Sequence, residues 1–180
     1  MARVLDHIDD ATASWIARQP LFFVATAPQD GGHVNVSPKG LDSLRVVSSH
    51  EVAYLDMPGS GAETIAHVRD NGRITVMMNA FDGPPRILRI YGEGAVHLPD
   101  EPRFAELRGL FPDRRGVRSI ITIAVARVQD SCGYAVPKMT FVEHRTHLDR
   151  YVENRSDDEL AQNLVDKNTV SIDGLPALDR

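Results

Sequence analysis

The apolar positions of the chain change their period near residue 20. Before it, Leu5, Ile8, Ala11, Trp15 and Ile16 recur at near-helical spacing, which predicts a helix over about residues 6–19, closed by Pro20. After it the runs become short and β-rich. "LFFVATA" (21–27) reads as a strand, "PQDGG" (28–32) as a turn and "HVNVS" (33–37) as the returning strand of a hairpin. "RVV" and "VAYLD" follow on either side of "SSHE", then "RITVMMN" (73–79). "RILRIYGEGAV" (86–96) carries two glycines that permit a bend or bulge, and "SIITIAVARVQ" (119–129) is the last long strand.

Helical stretches interrupt this series at roughly 62–70, 101–110 and 157–167. There is no βαβ rhythm, no dinucleotide fingerprint, no internal repeat and no low-complexity tract. The expected fold is therefore mainly β with peripheral helices, an antiparallel barrel closed or nearly closed rather than a doubly wound sheet. One domain is expected over 1–180, with an N-terminal helix within 1–20 and a helical extension and tail over 141–180. The terminal "VSIDGLPALDR" is polar with Gly and Pro, and is expected to be ordered only by contact with another surface.

The second hairpin strand has an unusual polar side. Val34 and Val36 alternate with Asn35 and Ser37, Pro38 ends the ladder, Lys39 sits just past it, and Gly40 lets the chain turn away. A polar side that met only water would usually carry Lys, Glu or Thr. Here two small hydrogen-bonding residues lead to a single cation.

About twenty residues on, "YLDMPGSGAETIAHVRDNGR" (54–73) runs from a strand through Pro58-Gly59-Ser60-Gly61 into a helix. Small residues before a helix leave backbone N–H groups uncovered, and the helix dipole adds partial positive charge. Such a loop accepts a phosphate without a basic side chain. It also reads as a tight turn with Ser60 or Thr64 capping the helix. Read together, the two stretches suit a planar heteroaromatic ligand with a phosphate tail, whose ring edge meets small polar groups and whose reduced form a cation stabilises.

Bulk composition narrows the classes. The chain has 180 residues, enough for one core without staples, and its net charge of -5 comes with no block of like charges. That excludes the basic stripe of a general nucleic-acid binder and docking on anionic membranes. No apolar run approaches the roughly 20 residues of a membrane span. A lone cysteine, Cys132, excludes an intramolecular disulfide and suits a reducing compartment, and the acidic, amphipathic N-terminus is unlike a signal peptide. A cytoplasmic protein is expected.

The order "FFVATA…HVNVSPKG…VAYLD…GSGAET…NGRITVMM…PPRILRIYGEGAV…RVQDSCGYAVP" resembles the pyridoxamine 5'-phosphate oxidase-related, FMN-binding split-barrel family over roughly residues 15–140. It is most similar to the branch with "NVSPKG" and "SCGYAVP"-like segments. The resemblance implies a split-barrel homodimer with two FMN molecules in grooves between the subunits. It implies that Asn35, Ser37 and Lys39 line the flavin, with Asp56, Ser60, Gly61, Glu63 and Thr64 along its ribityl-phosphate side. Arg86 or Arg89 would reach the ring or phosphate, and the segment Cys132-Gly133-Tyr134 would approach the flavin from the partner chain.

Two departures bear on activity. The true oxidases carry adjacent basic residues in the phosphate loop where this chain has Glu63 and Thr64. They also use an Arg and His pair near their last strand, which "CGYAVPKMTF" lacks. The expectation is an FMN-dependent oxidoreductase acting with a small-molecule substrate or a nicotinamide donor, and not a pyridoxamine phosphate oxidase. The alternative is a non-catalytic flavin or haem carrier. A deazaflavin reductase ranks last, because that cofactor's acidic tail needs several basic residues.

The remaining candidates read more plainly. Arg86 and Arg89 point to opposite faces of a strand, so at most one shares the site. His144 and His147 lack a third metal ligand. Cys132 reads as a packed thiol, and Tyr134 as an aromatic cover for a flavin edge or substrate wall. The basic "PDRRGVRS" (112–119) meets either an anionic substrate tail or only solvent, and "PGSGAE" lacks nucleophile-elbow spacing.

Overall fold

Among the described residues, branched and aromatic side chains at alternate positions build eight strands, and the helices plug or cover what the sheet leaves open. A computed structural model describes residues 3–178. In chain order the elements are β1 (Arg3–Leu5), α1 (Asp10–Ile16), β2 (Phe22–Thr26), β3 (Asn35–Lys39), β4 (Leu44–Ser48), β5 (Glu51–Asp56) and α2 (Glu63–Asn71). They continue with β6 (Arg73–Asn79), β7 (Ile87–His97), α3 (Pro102–Arg108), β8 (Ser119–Ser131), α4 (His147–Glu153) and α5 (Asp157–Asn168).

The strands form one antiparallel sheet in the order β3-β2-β6-β7-β8-β5-β4, with β1 on β8. The sheet curls into the split barrel that the family resemblance implies, an antiparallel barrel as the strand pattern predicts. β8 is the spine: β7 runs along one edge, while β5 pairs with its first half and β1 with its last residues on the other. A register shift at Tyr91/Gly92 is the bulge that the glycines of β7 allow. A Cβ at Gly92 would lie 2.7 Å from Ile123 Cγ2 and would run into the carbonyl of Ala124.

Alternation decides what each face buries. Val52 and Tyr54 of β5, with Ile121 and Ile123 of β8, point into the barrel with Val24, Val76, Met78 and Ile90. The opposite face of β5 and β8, through Ala53, Leu55 and Ile120, packs under Phe104 and Leu107 of α3 and Phe111 beyond it. α2 closes the barrel with Ile65, Ala66 and Val68 buried, and ends at Gly72 in the left-handed region, φ 72°.

Four expectations are corrected. The first helix starts at Asp10 rather than near residue 6, because Asp9 caps it through the N–H of Thr12 and residues 3–5 pair with β8. Pro38 does not end the ladder: it sits inside β3 opposite Phe23, tolerated because β3 is an edge strand that pairs only with β2. The reversal after β3 is made not by Gly40 but by Leu41 and Asp42, at φ 62° and 55°.

The C-terminal tail is the fourth, since it is ordered against its own chain. Val170 bridges to Pro176, and Ala177 is fully buried against the main core.

Candidate functional site

β3 sends Asn35, Ser37 and Lys39 toward the protein and leaves Val36 in solvent, 60% exposed, as is Val34 just before the strand at 71%. The polar row is internally bonded. Ser37 Oγ donates to Asn35 Oδ1 at 3.0 Å, and Asn35 Nδ2 donates to Thr64 Oγ1 at 3.0 Å and Thr26 Oγ1 at 3.3 Å. Thr64 is thereby tied to β3 and does not cap α2, whose N-cap is Ala62 with no side-chain hydrogen bond. The first N–H groups of α2 are left open beside the 58–61 loop.

A cleft of about 370 Å³ lies between the end of β3 and that loop. Ser37, Lys39, Ser60, Gly61 and Glu63 line it, together with Ser43, Met57, Arg118 and Leu148. Asp56 sits beneath it, fully buried at the end of β5. Three donors converge on its carboxylate: Arg118 Nε at 2.7 Å, Ser119 Oγ at 3.2 Å and Lys39 Nζ at 3.3 Å. Burial alone would push the Asp56 carboxyl up, but Arg118 and Lys39 hold it below the ordinary carboxylate value. Burial likewise works against the charge of Arg118, and Asp56 more than offsets it, so the guanidinium stays protonated. Two cations against one carboxylate leave this knot with one net positive charge.

Arg118 is only 5% exposed. Besides Asp56 it donates from Nη1 to the Gly61 carbonyl at 2.8 Å and to Asn168 Oδ1 at 2.9 Å. Its Nη2 makes no hydrogen bond among the described residues. Glu63, the anion of the loop, accepts from the Ile172 N–H at 3.3 Å and so leans on the tail. Lys39 Nζ also lies 5.8 Å from the Tyr54 ring centroid. His67, on α2, is fully buried with Nδ1 3.0 Å from Thr26 Oγ1 and Nε2 unpartnered among the described residues. Burial lowers its pKa.

The remaining sequence candidates lie elsewhere in the chain. Arg86 donates to Asp130 at 3.0 Å and stacks 4.5 Å over Trp15, beside a second, wider groove. Arg89 donates to Ser131 Oγ at 3.3 Å. Cys132 is exposed rather than packed, because the chain leaves the sheet at Ser131, and Tyr134 is 83% exposed. Thus five of the twelve candidates line the cleft and Asp56, Asn35 and Thr64 stand directly behind it. Arg86, Arg89, Cys132 and Tyr134 do not meet it within one chain.

Sequence reasoning missed Arg118 and Asn168. Arg118 stands inside the basic 112–119 cluster, and nothing in that run separates it from Arg114 or Arg115 until burial does. Asn168 carries no local signal at all. Among the described residues no helix is long and apolar enough to cross a membrane.

The chain is similar to known proteins along most of its length. The family model described as pyridoxamine 5'-phosphate oxidase matches residues 8–132. A pyridoxamine 5'-phosphate oxidase family protein, ustO of Aspergillus flavus, is 40% identical over 192 aligned residues, covering 96% of this chain and 76% of its own. Among solved structures, a candidate pyridoxamine 5'-phosphate oxidase of Lactobacillus delbrueckii superposes with a TM-score of 0.55 at 16% identity, covering 69% of this chain and 94% of that one. HupZ of Group A Streptococcus superposes at 0.53 and 20% identity, covering 69% and 99%. At those identities the two structures speak to the fold alone.

Proposed function

The chain belongs to the pyridoxamine 5'-phosphate oxidase family, and from that premise we propose that it is a homodimeric, cytoplasmic FMN-dependent oxidoreductase with a substrate other than pyridoxamine phosphate. The observation that carries this reading is the cleft above Asp56. Lys39, Arg118 and the hydroxyls of Ser37, Ser43 and Ser60 meet there at a glycine-rich loop and an uncapped helix N-terminus. That set fits a phosphate monoester: net positive charge from Lys39 and Arg118, the Ser60 hydroxyl, backbone uncovered by side chains at Gly59, and the open N–H groups at the start of α2.

In this reading the 58–61 loop and Arg118 hold the phosphate, while Lys39 lies toward the ring and compensates negative charge that develops there. Asp56 orients both cations. Asn35 and Thr64, bonded to each other, fix the strand and helix between which the ligand lies. The bound flavin supplies hydride or electron transfer, and the chain supplies position and charge compensation. Arg86, Arg89, Cys132 and Tyr134 serve the groove of the partner subunit; the exposure of Tyr134, Val34 and Val36 supports a second copy covering them.

The test is a paired titration. Apo protein should bind FMN more tightly than riboflavin, and Ser60→Phe should weaken FMN at least tenfold while changing riboflavin little. Lys39→Ala should weaken both, or shift the reduction potential of the bound flavin. Equal affinity of the unmodified protein for the two ligands would sink the phosphate site. Bleaching of the yellow complex by NADH or NADPH supports turnover. A complex that stays oxidised points to a flavin carrier, and a colourless protein that takes up haem to a haem carrier.

A further inference from the structure

The cleft is finished by a part of the chain that the family match does not reach. Residues 8–132 carry the match, whereas Asn168 ends α5 and is 1% exposed. Its Oδ1 accepts from Arg118 Nη1 at 2.9 Å and its Nδ2 donates to the Gly59 carbonyl at 3.4 Å. One side chain therefore touches both the buried cation and the loop of the cleft. Four residues later the Ile172 N–H donates to Glu63 Oε1 at 3.3 Å.

The segment that bears these groups is itself fastened. Leu178 N donates to Asn168 O at 3.1 Å and Ala177 N to Thr169 O at 2.9 Å, and Arg69 donates to the Ala177 carbonyl. At its turn, Asp173 accepts from His33 N at 2.8 Å and pairs with His33 Nδ1 at 2.7 Å.

We propose that Asn168 and the Ile172 N–H are positioning groups that set the charge seen by an anion in the cleft. The proposal rests on the phosphate-site reading above and deepens it. Asn168 is neutral, so it braces the guanidinium without cancelling its charge. With Nε on Asp56 and Nη1 shared between Gly61 and Asn168, the unpartnered Nη2 of a nearly buried arginine is the donor left for a ligand. The Ile172 N–H acts on the opposite sign. It donates to Glu63, the one carboxylate among the described residues that lines the cleft, which packs against Gly61, and so eases the negative charge that works against the single net positive charge of the Lys39–Asp56–Arg118 knot. The C-terminal segment thus compensates for the basic residues that the 58–64 loop lacks.

The experiment measures FMN and riboflavin affinity of the full chain by fluorescence titration, with a thermal melt of each apo variant. Asn168→Ala should weaken FMN about tenfold and Asn168→Asp further, because it sets a carboxylate on Arg118. Riboflavin should stay within about twofold in both. Ile172→Pro deletes the N–H beneath an exposed side chain, and the Glu63→Gln background separates that loss from what the proline ring does to the backbone. Ile172→Pro should weaken FMN several-fold, and that loss should vanish in a Glu63→Gln background. A chain with no preference for FMN over riboflavin overturns the phosphate-site reading itself. A chain that prefers FMN, with the preference unmoved in the Asn168 variants, overturns the positioning role. Should the Asn168 variants not fold, Ile172→Pro decides alone: an unchanged preference, or one that Glu63→Gln does not rescue, sinks the proposal.

Discussion

The two faces of β3 carry opposite chemistry in an order that amphipathic logic would reverse. Inward point Asn35, Ser37 and Lys39, bonded to Thr64, to each other and to the buried Asp56. Outward point Val34 and Val36, largely in solvent. The same contrast separates the Asp56 knot, where each charge has partners within the chain, from the segment after β8, where Tyr134, Met139, Phe141 and Val142 are exposed. The difference teaches where a single chain is sufficient. Charges can be buried at the cleft because Asp56 pairs with Arg118 and Lys39 there, whereas the apolar set has no such closure and calls for another surface.

The hardest way to strain that contrast is to unbalance the knot. Asp56→Asn should cost about 3–5 kcal/mol in urea unfolding, since it leaves Arg118 buried without its counter-charge. A loss under about 1 kcal/mol would mean water already reaches the pair. Next, Thr64→Val removes the nearer of the two acceptors of the Asn35 amide, leaving Thr26, and should cost about 0.5–1.5 kcal/mol, the net worth of one hydrogen bond.

A smaller, graded effect comes from acid. Burial keeps His67 below its ordinary pKa in the folded chain, while Asp173, Glu63 and Asp70 pull it back up and Thr26 bonds its ring. The unfolded chain takes up that proton near pH 6.5, so the contribution of His67 is complete above that pH and drains away as pH falls toward the folded value. The melting temperature should fall between pH 7.5 and 5.5, and His67→Gln should flatten the slope. Smallest for the fold itself is Val34→Asp with Val36→Asp. Each should change subunit stability by less than about 0.5 kcal/mol, while light scattering shows the dimer weakened. A mass that stays dimeric would move the interface away from this face.

The strands were the most legible part of the sequence. "RITVMMN" is β6 to the residue, because its β-branched and apolar run is bounded by Gly72 on one side and a proline turn on the other. α4 falls inside the helical extension expected over 141–180, but its bounds are not legible, since few buried residues mark its inner side and no capping side chain announces it. At the site, the small-residue loop and Lys39 were visible as local chemistry. Asp56 was read as a ligand-side group, whereas three donors bury it below the cleft. Arg118 and Asn168 lie 62 and 112 positions from Asp56 in the chain, and only the closing of the sheet and the return of the tail bring them to it. Such partners leave no periodic trace.

The bulge in β7 predicts how unevenly this protein should tolerate mutation. At Gly92 the smallest possible side chain collides with the backbone of β8, so no rotamer choice relieves it, and the collision falls in the middle of the longest strand pair. Gly109, by contrast, has ordinary φ and open space around it. In a saturation library selected for soluble protein, codon 92 should remain monomorphic while codon 109 drifts freely. A population of functional Ala or Ser alleles at 92 would mean that the curl of the sheet is set somewhere else.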